Sequence, residues 1–177
     1  MKKFELTSET KINIFGKKLF RIKALISFGN VEAGETGGWV EKEENVNQSG
    51  DAWVSGNAWV SGNARVSGNA RVSGNAWVSG DARVSGNAWV SGDAWVSGNA
   101  EVSGNADYTT IRGFGTQFRT TTFFRCKDKQ VKVSCGCFYG TIPEFREQVK
   151  NTRKGKIAEE YLMIADLMEK HFAEEAK

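Results

Sequence analysis

Along the middle of this chain, apolar and polar positions follow a fixed six-residue beat. From residue 52 to 107 the word Ala-X-Val-Ser-Gly-Asn/Asp runs nine times, with X drawn only from Trp, Arg and Glu. X separates the small apolar residue from the branched one, so in a short strand with Val facing inward, X faces outward. The Gly-Asn or Gly-Asp that follows reads as a tight bend, because Gly has no Cβ and Asn or Asp tolerates positive φ better than other side chains. Asp51, Asp81 and Asp93 stand in for Asn without changing that demand. Val54, Val60, Val66, Val72, Val78, Val84, Val90, Val96 and Val102 should then line a core, joined by the alanines from Ala52 to Ala106.

Short strands bent at regular corners predict a left-handed parallel β-helix. A flat antiparallel meander would leave its valines without a second layer. A flexible linker would not hold nine valines and five tryptophans at one period. Three words close one coil, so residues eighteen apart stack at a spacing of about 4.8 Å. This turns the text into three outward columns. One carries Trp59, Trp77 and Trp95, a second Trp53, Arg71, Trp89 and Asp107, and the third Arg65, Arg83 and Glu101. Upstream, the segment from Gly37 to Val46 reads as a degenerate first coil ahead of three regular ones. It keeps the six-residue phase, with Val40 and Val46 falling where the later alanines sit.

An open stack of coils exposes a sheet edge at each end, and both ends carry sequence suited to covering it. Residues 11–15, the Gly16-Lys17-Lys18 turn and residues 19–25 predict an N-terminal hairpin with Ile12, Ile14, Leu19 and Ile22 among its apolar positions. Residues 120–126 and 130–135 flank Lys127-Asp128-Lys129 as a second hairpin. Thr141-Ile-Pro-Glu144 is a helix start with an N-cap, an early Pro and a capping Glu. A second helix is expected from about Ile157 to Ala173, with Tyr161, Ile164 or Ala165, Met168 and Phe172 on one buried face. The expected organisation is mainly β: an N-terminal β cap over residues 1–38, the β-helix over 39–107, and a small C-terminal α+β element over 108–177.

Charge refines this picture. Residues 51–107 carry three Arg and five acidic side chains, net −2, whereas residues 108–177 carry thirteen basic and nine acidic ones, net +4. An anionic partner would favour the C-terminal part. The first residues lack an apolar leader core and no apolar run approaches a bilayer's thickness, which predicts a cytoplasmic protein with no membrane partner. Cys126, Cys135 and Cys137 are expected to be reduced strand cysteines. A zinc site built from them with His171 is the rival reading, and their Cys-X-Cys spacing supports it only weakly.

The Val-X-X-Asn-Ala spacing resembles the hexapeptide-repeat acyltransferases and the related carbonic anhydrases. That resemblance implies trimers with active sites between coils, but those enzymes depend on coil histidines, and this chain has only His171, near the end of a predicted helix. A resemblance covering nearly the whole chain rests on three stretches. They are Phe28-Gly-Asn-Val with Gly37-Gly-Trp-Val, the Val-Ser-Gly-Asn-Ala words, and Val133-Ser-Cys-Gly-Cys-Phe-Tyr-Gly with Glu144-Phe and Glu160-Tyr-Leu. These are similar to hexapeptide-repeat proteins of bacteriophages and prophages. The similarity implies a phage accessory protein in the host cytoplasm and brings no catalytic residues.

The expectation is therefore a non-enzymatic binding protein, without cofactor or metal, that engages a host protein, in one version an antiviral defence protein, and forms a dimer or trimer. Two surfaces suit binding. The first is the outward set Trp53, Trp59, Trp77, Trp89 and Trp95 with Arg65, Arg71 and Arg83, since an exposed aromatic strip is unusual on a monomer. Burial of its Trp59–Trp77–Trp95 column under the C-terminal helices or another subunit is the plainer alternative. The second surface is Arg112, Arg119, Arg125, Lys127, Lys129 and Lys132, interleaved with Phe114, Phe118, Phe123 and Phe124, which would suit a nucleotide or nucleic acid. A ligand-sequestering protein is thus the competing function, and a degenerate acyltransferase relative the third.

Overall fold

The glycines of the repeated word make the corners. From Gly50 to Gly98 they take φ of 60–72°, and a Cβ at Gly80 would stand 2.9 Å from the backbone nitrogen of Gly98 one coil on. Neither conformation nor space admits a side chain there. The Asn and Asp that follow do not take positive φ. Among the described residues only Phe118 and Lys129 do so without being Gly. Asn earns its place differently, by stacking amides along the corner. Asn57 donates to Asn75 at 3.4 Å, Asn75 to Asp93 at 3.0 Å, Asn63 to Asp81 at 3.1 Å and Asn69 to Asn87 at 3.1 Å.

The computed structural model describes residues 1–173 as a β-solenoid with a cap at each end. Strands β1 (Phe4–Ile12), β2 (Lys18–Ala24) and β3 (Thr36–Val40) come first. Nine two-residue rungs follow: β4 (Trp53–Val54), β5 (Trp59–Val60), β6 (Arg65–Val66), β7 (Arg71–Val72), β8 (Trp77–Val78), β9 (Arg83–Val84), β10 (Trp89–Val90), β11 (Trp95–Val96) and β12 (Glu101–Val102). They stack in parallel with an offset of eighteen, giving the three expected faces β5-β8-β11, β4-β7-β10 and β6-β9-β12. Every rung Val and the alanines from Ala52 to Ala100 are buried, whereas Ala106, expected with them, is exposed in the 3-10 turn that ends the repeat, and the outward residues differ widely in exposure. Asp107 is not a column member. It sits in a single turn of 3-10 helix and accepts from the Ser103 and Gly104 amides at 2.8 and 2.9 Å.

The first coil departs from the expected phase. Trp39 pairs with Trp59, Val40 with Val60 and Val46 with Val66, an offset of twenty, so these two valines extend the valine columns and not the alanine ones. Eight residues separate Val46 from Val54 where six separate later valines, and the two extra residues fall in the side of the coil that Gln48 occupies. The Gln48 amide there closes on β1, accepting from the Lys3 and Phe4 amides at 2.7 and 3.2 Å and donating to the Phe4 carbonyl at 3.1 Å.

Flanking each rung, the outward residue and the following Ser donate N–H to carbonyls of the next coil, as in Trp53 to Ala70 and Trp59 to Ala76, both 3.0 Å, while the parallel pairing within the rung returns bonds in the other direction. The first regular coil presents the Ala52, Ala58 and Ala64 carbonyls to its cap, and the last presents the Trp89, Ser91 and Trp95 N–H groups together with the Trp89 carbonyl. At the front, Ala58 receives the Trp39 amide at 3.0 Å, Ala64 the Asn45 side-chain amide at 2.8 Å, and Ala52 the buried Lys3 ammonium at 2.8 Å. At the back, Trp89 N–H reaches the Asn105 side chain at 2.8 Å and Trp95 N–H the Thr122 hydroxyl at 3.0 Å. Each end draws on both kinds of partner: at the front Glu41 accepts from the Gly62 amide at 2.7 Å, and at the back the Tyr108 hydroxyl donates to the Trp89 carbonyl at 2.5 Å.

The N-terminal hairpin is β1 antiparallel to β2, and β3 continues it into the β5-β8-β11 face as one six-stranded sheet. Leu19 and Ile22 are buried as expected, but Ile12 and Ile14 are 65% and 70% exposed because the strand ends at Ile12 and the turn carries Ile14 outward. The C-terminal part is larger than one hairpin. Strands β13 (Tyr108–Phe114), β14 (Arg119–Arg125), β15 (Val131–Cys135) and β16 (Phe138–Thr141) form an antiparallel sheet. It is covered by α1 (Ile142–Thr152), with its Thr141/Glu144 capping box, and α2 (Gly155–Phe172). Adjacent side chains on β14 face opposite ways: Phe124 closes the rod's core, while Phe123 packs with Phe145, Ile164 and Met168 under the helices. No helix among the described residues is long and apolar enough to cross a membrane.

Two predictions follow from the front cap. Asn45→Ala leaves the Gly62 and Ala64 carbonyls without their side-chain donor. It should lower unfolding free energy by about 1–3 kcal/mol, measured by urea denaturation. Burial pushes the Lys3 ammonium down from 10.5 to about 8, against the opposing pull of Asp51. Between those two pH values the unfolded chain holds a proton that the folded one has lost. Stability relative to Lys3→Met should therefore rise with pH across that window and be flat below it. A difference that falls with pH would contradict this.

Candidate functional site

The aromatic column on the β3-β5-β8-β11 face is built from consecutive coils. Trp59 and Trp77 have ring centroids 4.8 Å apart, and Trp77 and Trp95 5.3 Å apart. Within the chain, the cover over it is the tip of the N-terminal hairpin and not the C-terminal helices. Phe15 lies 6.0, 6.3 and 6.0 Å from Trp59, Trp77 and Trp95. Towards the front, Lys11 Nζ and the Arg21 guanidinium stand over Trp39 at 4.4 and 4.8 Å. Burial, with Arg21 adding to it, pushes the Lys11 ammonium down. Trp39 and Trp59 are consequently buried, whereas Trp77 and Trp95 remain half-buried at the open end.

The other outward tryptophans divide. Trp53 is buried, with the Phe28 ring 5.4 Å and the Phe4 ring 6.2 Å away, which makes it part of the front cap's core. Trp89 is 56% exposed and donates its indole N–H to Ser73 at 2.8 Å. Arg65 and Arg83 are exposed and Arg71 is half-buried. The five tryptophans therefore do not form one strip: Trp53 and Trp59 pack against the front cap, and Trp77, Trp89 and Trp95 keep surface to offer.

The basic set on the C-terminal sheet is also divided. Arg112 and Arg119 come to the open end of the Trp column. With Trp77, Trp95 and Phe118 they line a groove of about 420 Å³. Arg112 bonds Asp93 at 2.8 Å, and Asp93 in turn ends the Asn57–Asn75 corner ladder. Arg125 faces elsewhere, 3.5 Å from Asp107, over the Phe172 ring and donating to the Phe172 carbonyl at 3.1 Å, so it fastens α2 to the sheet. Lys127 and Lys129 lie in the exposed β14–β15 turn, and Lys132 stands 6.0 Å over Tyr139. Phe123 and Phe124 are fully buried and Phe114 half-buried, so they cannot interleave with these charges at the surface. Alternation along β14 alone would have placed Phe123 and Phe124 on opposite faces.

Phe118 is the unusual member. It is 66% exposed and has φ of 48° in the β13–β14 turn, a conformation that costs a non-Gly residue of order 1–3 kcal/mol. Phe15, 54% exposed, reaches the column from the opposite cap. Neither stood out in the sequence as a partner of the tryptophans. The available signal was an aromatic residue near a glycine, Phe15 directly before Gly16 and Phe118 three residues after Gly115, where turns form. Elsewhere, Cys126 is buried, its thiol pushed up to about 11 by that burial, and Cys135 accepts from Thr121 at 3.1 Å. His171 is exposed beside the Phe172 ring. What the groove offers is stacked indole surface and two guanidinium groups.

Coils, columns and caps together define a β-solenoid repeat protein. The sequence model of the YdcK β-solenoid repeat matches residues 64–80, 76–92 and 82–98, within the middle coils and outside both caps. No curated protein matches the chain in sequence.

The covering role of Phe15 can be tested through fluorescence. Phe15→Ala removes three aromatic neighbours worth about 0.5–1.5 kcal/mol each at most. It should raise acrylamide quenching of the tryptophans and shift their emission to the red, while the C-terminal helices stay in place by hydrogen exchange. Unchanged quenching would mean that the hairpin tip does not shield the column.

Proposed function

We propose that this chain is a non-enzymatic phage accessory protein that binds a host protein through the Trp77, Trp95 and Phe118 groove. Occupying that partner would block its part in antiviral defence. The observation that carries the reading is an exposed Phe held at positive φ beside two half-buried stacked tryptophans. Aromatic anchors in a pocket, ringed by Arg, are the composition of protein-binding hot spots. The phage resemblance of the whole chain supplies the setting, and a passive mode of action suits a groove with neither thiolate nor histidine. The same strip would serve a dimer or trimer of the chain itself. Arg112 and Arg119 on the rim favour a second reading, capture of a nucleotide or nucleic acid.

Affinity capture from host lysate followed by mass spectrometry would name the partner, and calorimetric titration would locate it. Trp95→Ala and Phe118→Ala should each weaken partner binding by about 10–100-fold, as truncated hot spots do. Raising salt should change affinity little, because apolar burial is not screened. Tight nucleotide binding that fades with salt and disappears on reversing Arg112 and Arg119 would replace this reading with the second. A mass above one chain by light scattering, lost in Trp95→Ala, would assign the strip to self-association.

A further inference from the structure

The third face of the rod carries a feature that the aromatic groove does not use. Arg65 and Arg83 stack in register on β6 and β9, one rung apart, both exposed. Like charges at that spacing repel. Some arginines elsewhere take acidic partners, Arg112 with Asp93, Arg125 with Asp107, and Arg146 with Asp166 and Glu169, while Arg71, Arg119 and Arg153 form no ion pair among the described residues. The Arg65 and Arg83 side chains make no ion pair or hydrogen bond among the described residues, although Glu43, Glu44 and Glu101 line the same groove of about 480 Å³. Glu43 is already engaged, by Lys2 at 2.7 Å and Gln48 at 3.0 Å. Half-buried Ser67 and Ser85, each two residues after its arginine, add hydroxyls on the same wall.

We propose that the Arg65–Arg83 rung pair, with Ser67 and Ser85, is a binding site for a compact phosphoryl dianion. Two guanidinium forks and two hydroxyls offer donors from several directions, more than the two coplanar oxygens of a carboxylate can use and well matched to a tetrahedral group. An anion seated between the arginines removes their mutual repulsion. The flanking carboxylates set the ligand's length. Glu43 and Glu44 at the front and Glu101 one rung beyond Arg83 face the path that a long polyanion would follow along the rod. Free phosphate and a phosphoserine side chain share the required chemistry, whereas a nucleic-acid strand is disfavoured. The site is on a different face from the aromatic groove and stands or falls independently of it.

Calorimetric titration at low ionic strength with inorganic phosphate, O-phosphoserine and a ten-nucleotide single strand tests this. Phosphate and phosphoserine should bind saturably, with Arg65→Ala and Arg83→Ala each weakening them by about tenfold or more. Glu101→Gln should tighten binding, and Lys150→Ala on α1 should leave it unchanged. Arginine Nε–H resonances of residues 65 and 83 should shift on titration, a readout that a loss of folding would not mimic. The outward rung position already accommodates Trp, Arg and Glu, so these variants should fold. Absence of saturable binding overturns the proposal, as does binding indifferent to both arginines. A single strand that binds much more tightly than phosphate would overturn it too, since the carboxylates would then not be limiting the ligand.

Discussion

An open stack of coils leaves unpaired backbone N–H and C=O groups at each end, and each end must find partners for them. Unpaired carbonyls at the front need donors, and the chain supplies an amide nitrogen from Asn45 and the ammonium of a buried Lys3. Unpaired N–H groups at the back need acceptors, and Asn105, Thr122 and Asp107 supply oxygen. The cost of an unsatisfied buried backbone group explains why each end has a dedicated structure. It also explains how the stacked coils avoid extending end to end: the caps cover the rungs, and the sheet edges at the rod's ends pass to β1, β13 and β16.

The candidate binding groove is a by-product of that capping. The front cap is anchored by β3 pairing with β5, which directs the hairpin tip along the tryptophan face until Phe15 meets the column. The back cap is anchored by Thr122 on the Trp95 amide, which brings the β13–β14 turn with Phe118 and Arg119 over the same face. Two structures built to satisfy backbone groups therefore leave an aromatic floor exposed between them. Arg112 ties this arrangement to the corner ladder through Asp93, so the groove's rim and the solenoid's corner share one carboxylate.

Periodicity made the solenoid legible. The core valines, the eighteen-residue columns apart from Asp107 and the helix start at Thr141 all follow from local rules, and all are present. Interactions that join distant segments were not legible. The offset of twenty between Val46 and Val66 depends on Gln48 bonding β1, a contact across 44 residues from Phe4 that no local pattern encodes. Ile12 and Ile14 look like core by composition and lie outside because the turn begins there. Tryptophans that are identical in the repeated word have three different fates, from the sealed Trp53 to the open Trp89, since exposure is set by the caps. Asn at the corners was recognised, but its reason is the amide ladder between coils and not the backbone angle.

The eighteen-residue coil also couples the rod's length to its rotational phase. Three words return the chain to the same face, so adding or removing a whole coil would carry the back cap along the axis without turning it. A single word gained or lost would swing β13 to β16 by a third of a turn. The capping acceptors would still meet N–H groups, because all three faces present them, but Phe118, Arg112 and Arg119 would arrive over a different column. Among length variants, folding would tolerate steps of six residues while the aromatic groove would survive only steps of eighteen, so indels in such a repeat act as a dial on recognition before they act on stability.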